Sequence, residues 1–369
     1  MPDISIVSPR RWNLFREAWR TLVVGAALVV LLGAIAASPA VAQNPPADTP
    51  PAKADDKAST PPPAAAEKAP AAAADEPKKS ASSEKEKLPE PEDLTLTTSD
   101  GVRLALTYYP SNRGREAIPV VLLHMAKGSR TDYKYLAAGL QSQGYAVVVP
   151  DLRGHGDSTK QVGREKELSA AKLPIEQYKL MVDKDMYAVK EFLWERNNAK
   201  ELNLNKLCVV GAEMGASVAI NFTAFDAVGY GDSDHGAFYG PLQLGLFVKS
   251  LVLLSPEVSF RGLPLTPLPD DIRKTVPVLI LVGKEDSRSY DEAERVSKIF
   301  KRIAPKKEED MTYFFKPLAT KLQGTKLLEP KALGAADNYI VPFLKLRLKD
   351  ADQAREWSWK TLKKPHENG

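Results

Sequence analysis

Between Leu94 and Leu348, short uninterrupted apolar runs alternate with stretches of helical periodicity, and this alternation constrains the fold more than any other feature of the chain. Val120–Leu123, Tyr145–Val149, Leu207–Val210 and Val278–Val282 are apolar at every position, while Val248–Leu254 and Met311–Phe315 are strand-like runs of similar length. A strand that is apolar on both faces has to be covered on both faces. Helical spacing fills the gaps: Thr131–Gln143 ending at Gly144, Pro174 to about Asn197, Met214 to about Ala224, a segment with Ala293, Val296, Ile299 and Phe300 on one face, and about Ala336 to Leu348. Ahead of them, Leu94–Thr98 and Val102–Tyr109 alternate around the turn signal Ser99-Asp100-Gly101, which predicts a hairpin. The expected architecture is therefore α/β. A mostly parallel central sheet opens with an antiparallel hairpin and carries helices on both faces. Ser255–Asp271 is short and proline-rich, so no large cap domain is expected there.

The ends of the chain read differently. Arg10, Arg11, Arg16 and Arg20 precede an uncharged apolar run, Leu22–Ala37, and Ala40-Val41-Ala42 supplies the small-x-small pattern of a signal-peptidase site. Residues 1–42 are read as an export signal, which places the protein in the periplasm, the cell envelope or the exterior. The alternative is a membrane anchor formed by residues 21–42, since a run of this length nearly spans a bilayer. Residues 43–92 hold eleven prolines and thirteen alanines and no aromatic residue. Such a segment cannot bury enough apolar surface to offset its ordering entropy, so a disordered spacer is expected. Residues 93–348 form the folded domain. Residues 349–369 form a charged tail, whose Trp357 and Trp359 are expected to tuck back onto the body.

Composition excludes several functions. The formal net charge is +4 over 369 residues, with the basic residues dispersed and no basic segment interleaved with aromatics, so nucleic acid is not an expected partner. The single cysteine, Cys208, lies in an apolar run and is expected to be a buried strand residue. Asp232-Ser233-Asp234-His235 lacks the spacing of a metal set, and no glycine pattern cradles a phosphate; no cofactor and no metal are expected.

Three motifs follow strands. His124-Met125-Ala126-Lys127-Gly128-Ser129 follows the first buried run, and Pro150-Asp151-Leu152-Arg153-Gly154-His155-Gly156-Asp157-Ser158 follows the next. Gly211-Ala212-Glu213-Met214-Gly215 joins a strand to a helix. In this order and spacing the chain resembles the α/β-hydrolase superfamily, in particular its single-domain esterase, dienelactone-hydrolase and serine-peptidase-like members, over about Leu94 to Leu348. The resemblance makes Gly211–Gly215 the nucleophile elbow, Gly-x-Ser-x-Gly, with Glu213 where the family has serine. It makes the backbone N–H of Met214 one oxyanion donor and places the second near Met125 or Ala126, where relatives often have glycine. It assigns the triad acid to Asp286, with Glu285 the lesser choice, and aligns Gln323 with the family histidine.

A carboxylate has no proton to surrender as a nucleophile and brings negative charge to a site built for a developing oxyanion. No histidine lies between His235 and His366. His124 and His155 are expected to shape their loops. Loss of both serine and histidine argues against triad hydrolysis. The expected protein is a non-catalytic homologue with vestigial positions Glu213, Asp286, Gln323, Met125 and Met214, in which Gln323 donates to both Glu213 and Asp286. Its partner would be a small molecule or an envelope protein, with Asp226–Leu246 a candidate protein-binding region. The alternative is hydrolysis of esters or related small molecules by a carboxylate mechanism.

Overall fold

The apolar runs become strands because nothing else hides them from water on both sides. In the computed structural model, β3 (Ile118–Leu123), β4 (Tyr145–Pro150), β5 (Leu207–Ala212) and β9 (Val278–Gly283) are buried at every position. β6 (Val248–Leu254) is buried at all positions but one. β1 (Glu92–Thr97) and β2 (Arg103–Tyr109) form the expected hairpin, β1 alternating between half-buried and exposed positions, and β10 (Tyr313–Leu318) closes the far edge. The structure describes residues 88–228, 247–264, 268, 270–304, 312–329, 334–351 and 356–362, all within one compact unit, Ser83–Gly369. The segment read as an export signal, nearly all of that read as a spacer, His235, His366 and residues 229–246 of the candidate protein-binding region lie outside the described residues.

The strand order is β1-β2-β4-β3-β5-β6-β9-β10, antiparallel through β1, β2 and β4 and parallel from β4 to β10. The connection from β3 runs towards β4 and the connection from β5 runs the other way, towards β6. The carboxyl ends of β3 and β5 thus flank a topological switch point, the place where open α/β sheets form their binding crevices.

The helices are α1 (Lys134–Ser142), α2 (Ile175–Leu180), α3 (Met186–Asn198), α4 (Met214–Val228), α5 (Asp270–Thr275), α6 (Ser287–Lys301) and α7 (Val341–Leu344). α7 sits between two wide π turns, Ala336–Ile340 and Lys345–Lys349, which together cover the expected last helix. The long helix expected over residues 174–197 is interrupted between α2 and α3 by another π turn, Met181–Asp185. Its last residue meets Arg153, a fully buried arginine in the loop after β4. Asp185 accepts from the Arg153 backbone N–H at 2.9 Å, from Nε at 2.9 Å and from Nη2 at 2.7 Å, and Arg153 Nη1 also reaches Asp100 at 2.8 Å.

The described part of Ser255–Asp271 forms a small hairpin, β7 (Ser259–Phe260) with β8 (Leu263–Pro264), and the start of α5. Residues 356–362 return to the body. Side-chain amides of Asn203, Asn197 and Asn198 donate to the carbonyls of Trp357, Lys360 and Leu362, and the Trp359 indole donates to the Asn197 carbonyl at 3.0 Å.

Candidate functional site

The centre of the site is a turn with no spare volume. β5 ends at Ala212, α4 begins at Met214, and Glu213 between them has φ 47°, a left-handed conformation that costs a side-chain-bearing residue free energy. Three backbone bonds hold it there. Glu213 N–H donates to Leu254 O at 2.9 Å, and its carbonyl accepts from Ala216 N–H at 3.0 Å and Ser217 N–H at 3.2 Å. A Cβ on Gly211 would collide with the carbonyl of Gly215, and one on Gly215 with that of Leu123, so both flanks require glycine. The turn projects the Glu213 side chain over the carboxyl edge of the sheet beside the switch point.

The loop after β10 comes to meet it. Gly324 has φ 54°, and a Cβ there would lie 2.9 Å from Glu213 Oε1 and 2.8 Å from Met125 Sδ. Glu213, Met125 and the Gly324 backbone therefore converge. The adjacent Gln323 accepts from the Ser255 hydroxyl at 2.6 Å and donates from Nε2 to Gly283 O at 2.9 Å. Ser255, at the end of β6, is itself left-handed at φ 49° and accepts from Gly324 N–H at 3.0 Å. Asp286 caps the start of α6, accepting from Ser289 N–H at 3.1 Å.

The bridge expected from the sequence, with Gln323 donating to Glu213 and Asp286, is therefore absent. Gln323 satisfies its amide on the ends of β6 and β9, and Asp286 satisfies its carboxylate on its own helix. The sheet fixes the partners of Gln323, the helix start fixes that of Asp286, and the Gln323 amide does not span the two acids.

The profile of the family described as serine aminopeptidase, S33, matches residues 115–239, a segment running from the start of β3 through the elbow. With the strand order and the left-handed turn at the switch point, this match fixes the fold. The chain has the α/β-hydrolase fold, and residues 115–239 match that family in sequence. Two uncharacterized proteins of Mycobacterium tuberculosis strains are 28% identical over 138 residues, which is 37% of this chain and 43% of theirs. The chain thus matches less than half the length of these curated relatives. Among solved structures, an esterase of Pyrococcus furiosus has a TM-score of 0.46 at 16% identity, over 70% of this chain and 91% of that one. A fungal esterase of Rhizomucor miehei has 0.47 at 16%, over 71% and 85%. A dienelactone hydrolase of Anabaena variabilis has 0.43 at 17%, over 69% and 97%.

The electrostatics of this α/β-hydrolase site follow from burial. Loss of water raises the Glu213 pKa above the ordinary glutamate range, Glu257 and Asp286 add to the rise, and Lys326 opposes it. Tyr133, fully buried, donates its hydroxyl to Leu123 O at 2.9 Å, and burial together with Asp132 and Glu213 pushes its pKa up. Thr325 donates to Asp132 at 3.1 Å.

His124 has both ring nitrogens committed to the backbone. His124 Nε2 accepts from Leu152 N–H at 3.0 Å, which places its proton on Nδ1, donated to Met125 O at 2.8 Å. Burial and the neighbouring His155 depress its pKa to about 4. His155 packs with its ring 4.9 Å away, Nδ1 against Arg153 O at 3.1 Å. Both shape loops, as their positions after β3 and β4 imply. Met214 is buried in the core, while the half-buried Met125 faces the site. Among the described residues, no three His, Cys, Asp or Glu side chains converge as a metal-ligand set.

Sequence reading missed Ser255 and Glu257. The signal was available, since both stand just past the apolar run that became β6, at the sheet edge where site residues of such folds gather.

Proposed function

We propose that this chain is an exported, non-catalytic α/β-hydrolase-fold protein that binds a small molecule or an envelope protein at the crevice around Glu213. One observation carries the reading: the elbow presents a half-buried carboxylate, and the amide at the family histidine position is engaged by Ser255 and Gly283. Acyl transfer at this elbow needs an O–H nucleophile and a base to take its proton. Glu213 is not the first and Gln323 is not the second. The retained cost of a left-handed residue, with glycines on both sides, supports a crevice kept for binding.

The test is hydrolysis of short and medium p-nitrophenyl esters by the full chain, beside Glu213→Gln and Glu213→Ser. The expected rate is that of buffer for all three, because serine alone gains no base. Turnover abolished by Glu213→Gln would make Glu213 a working carboxylate and overturn the reading. Export is tested separately, by N-terminal sequencing of the mature protein, which should begin near Gln43.

A further inference from the structure

Residues 356–362 are held to the body differently from any strand. Among the described residues, no backbone-to-backbone hydrogen bond joins this segment to the rest of the chain; asparagine side chains reach its backbone instead. Asn203 Nδ2 donates to Trp357 O at 2.8 Å, Asn205 Nδ2 to Ser358 O at 3.1 Å, and Asn197 Nδ2 to Lys360 O at 3.0 Å. Asn198 clamps one residue twice: its Nδ2 donates to Leu362 O at 2.8 Å, and its Oδ1 accepts from Leu362 N–H at 2.9 Å. Peptide groups are what these amides bind, and side chains of the segment add selectivity at three positions. Trp357 and Trp359 are half-buried while Ser358 and Lys360 are exposed, the alternation of an extended chain. Lys249 Nζ lies 5.3 Å from the centre of the Trp357 ring, Arg115 Cζ lies 5.9 Å from that of Trp359, and Leu362 is buried.

The body, and not the tail, sets these donors in place. Asn197 Oδ1 accepts from Leu204 N–H at 3.0 Å and Asn203 Oδ1 from Asn205 N–H at 3.1 Å, so both amides have their oxygen anchored and their NH₂ left for the tail. Asn197 Nδ2 also donates to Asn198 Oδ1 at 3.2 Å, and Asn203 N–H donates to Ala117 O, just ahead of β3, at 2.8 Å. An amide that is already oriented loses little side-chain entropy when a peptide arrives. None of these anchoring bonds involves the tail, and its departure breaks no strand ladder. The groove thus has the make-up of a peptide site, filled here by the chain's own segment. The pattern it fits, Trp-x-Trp-x-x-Leu, is carried by every copy of this chain. The same contacts form whether the segment arrives from the same copy or from another. Two copies that exchange tails leave neither groove open, which closes the pair with two-fold symmetry.

We propose that the groove formed by Asn197, Asn198, Asn203 and Asn205 is a docking site for residues 356–362 of a second copy of this chain. The tethered tail competes for its own groove at an effective concentration on the order of millimolar, so exchange is strongest where cis occupancy is weakened.

The experiment pairs two full-length variants. Asn198→Ala/Asn203→Ala spoils the groove and keeps the tail; Trp357→Ala/Trp359→Ala spoils the tail and keeps the groove. An intact tail can meet an intact groove only in the mixture, and only between copies. Mixed at about 0.2 mM and read by size exclusion with light scattering, the two are expected to form a one-to-one complex, at least tenfold tighter than the self-association of either alone. A mixture no heavier than its separate components, or equal association in each variant by itself, would overturn the proposal. Hydrogen exchange of the unaltered chain tests it without any substitution. The Leu362 amide is expected to exchange by local opening, about a hundredfold or more faster than the amides of β5. Exchange at the β5 rate would mean that the tail leaves only when the domain unfolds, and would equally overturn it.

Discussion

Glu213 combines two costs that serine in its place would share only in part. The left-handed backbone is common to any side chain there, but only the carboxylate has to be held partly out of water beside Glu257 and Asp286. Its pKa is raised on folding, so the folded chain keeps that proton to higher pH than the unfolded chain does. Stability therefore falls as pH rises through the interval between the ordinary glutamate pKa and the raised one, and the loss is complete above it. Glu213→Gln removes the charge and nearly keeps the shape. Its melting temperature is expected to exceed that of the wild type at about pH 8 and to match it at about pH 3, where both side chains are neutral. Calorimetry across that range checks this, and a variant less stable than wild type at alkaline pH would refute it. At Gly215, alanine would drive its methyl into the Leu123 carbonyl. Gly215→Ala is expected to cost about 2–3 kcal/mol or more by denaturant titration, because strand and helix are both too well anchored to yield.

At the scale of elements, the π turn between α2 and α3 shows a side-chain network overriding helix periodicity. Residues 174–197 read as one amphipathic helix, and most of its apolar positions, though not Ile175, do face the core. Nothing in that periodicity marks Asp185, whose partner Arg153 lies in a different loop. Arg153 is fully buried and fully committed to Asp185, Asp100 and Gln177. Replacing it by methionine preserves volume and strands a buried carboxylate. Arg153→Met is expected to lose about 3–5 kcal/mol, and Arg153→Met/Asp185→Leu to recover a large part of it. The double-mutant cycle in urea checks the coupling.

The whole molecule depends on its far end. Residues 356–362 supply carbonyl acceptors to Asn197, Asn198 and Asn203 and bury Leu362 at 3% exposure. Truncation after Asp350 leaves three amides without these partners and removes the buried Leu362. It is expected to cost about 3 kcal/mol or more, at roughly 1 kcal/mol per lost amide hydrogen bond before the apolar burial is added. A melting curve of the truncated chain decides between this and a dispensable tail.

The strand runs, the sheet class, the two glycines of the turn and the place of Glu213 between them were determined by the sequence alone. Their causes are local: a strand buried on both faces must be continuously apolar, and a strand-to-helix turn this tight admits only glycine at its flanks. The burial of Cys208 and the loop-shaping roles of His124 and His155 were legible for the same reason. What the chain places around Glu213 was decided only by tertiary structure. Ser255, Gly283 and Gln323 are separated by up to 68 positions and meet because β6 and β9 pair in parallel register, so their carboxyl ends and the loop after β10 share one edge. Spacing along the chain carries the identity of Gln323; which of its possible partners it bonds depends on the direction each strand end points.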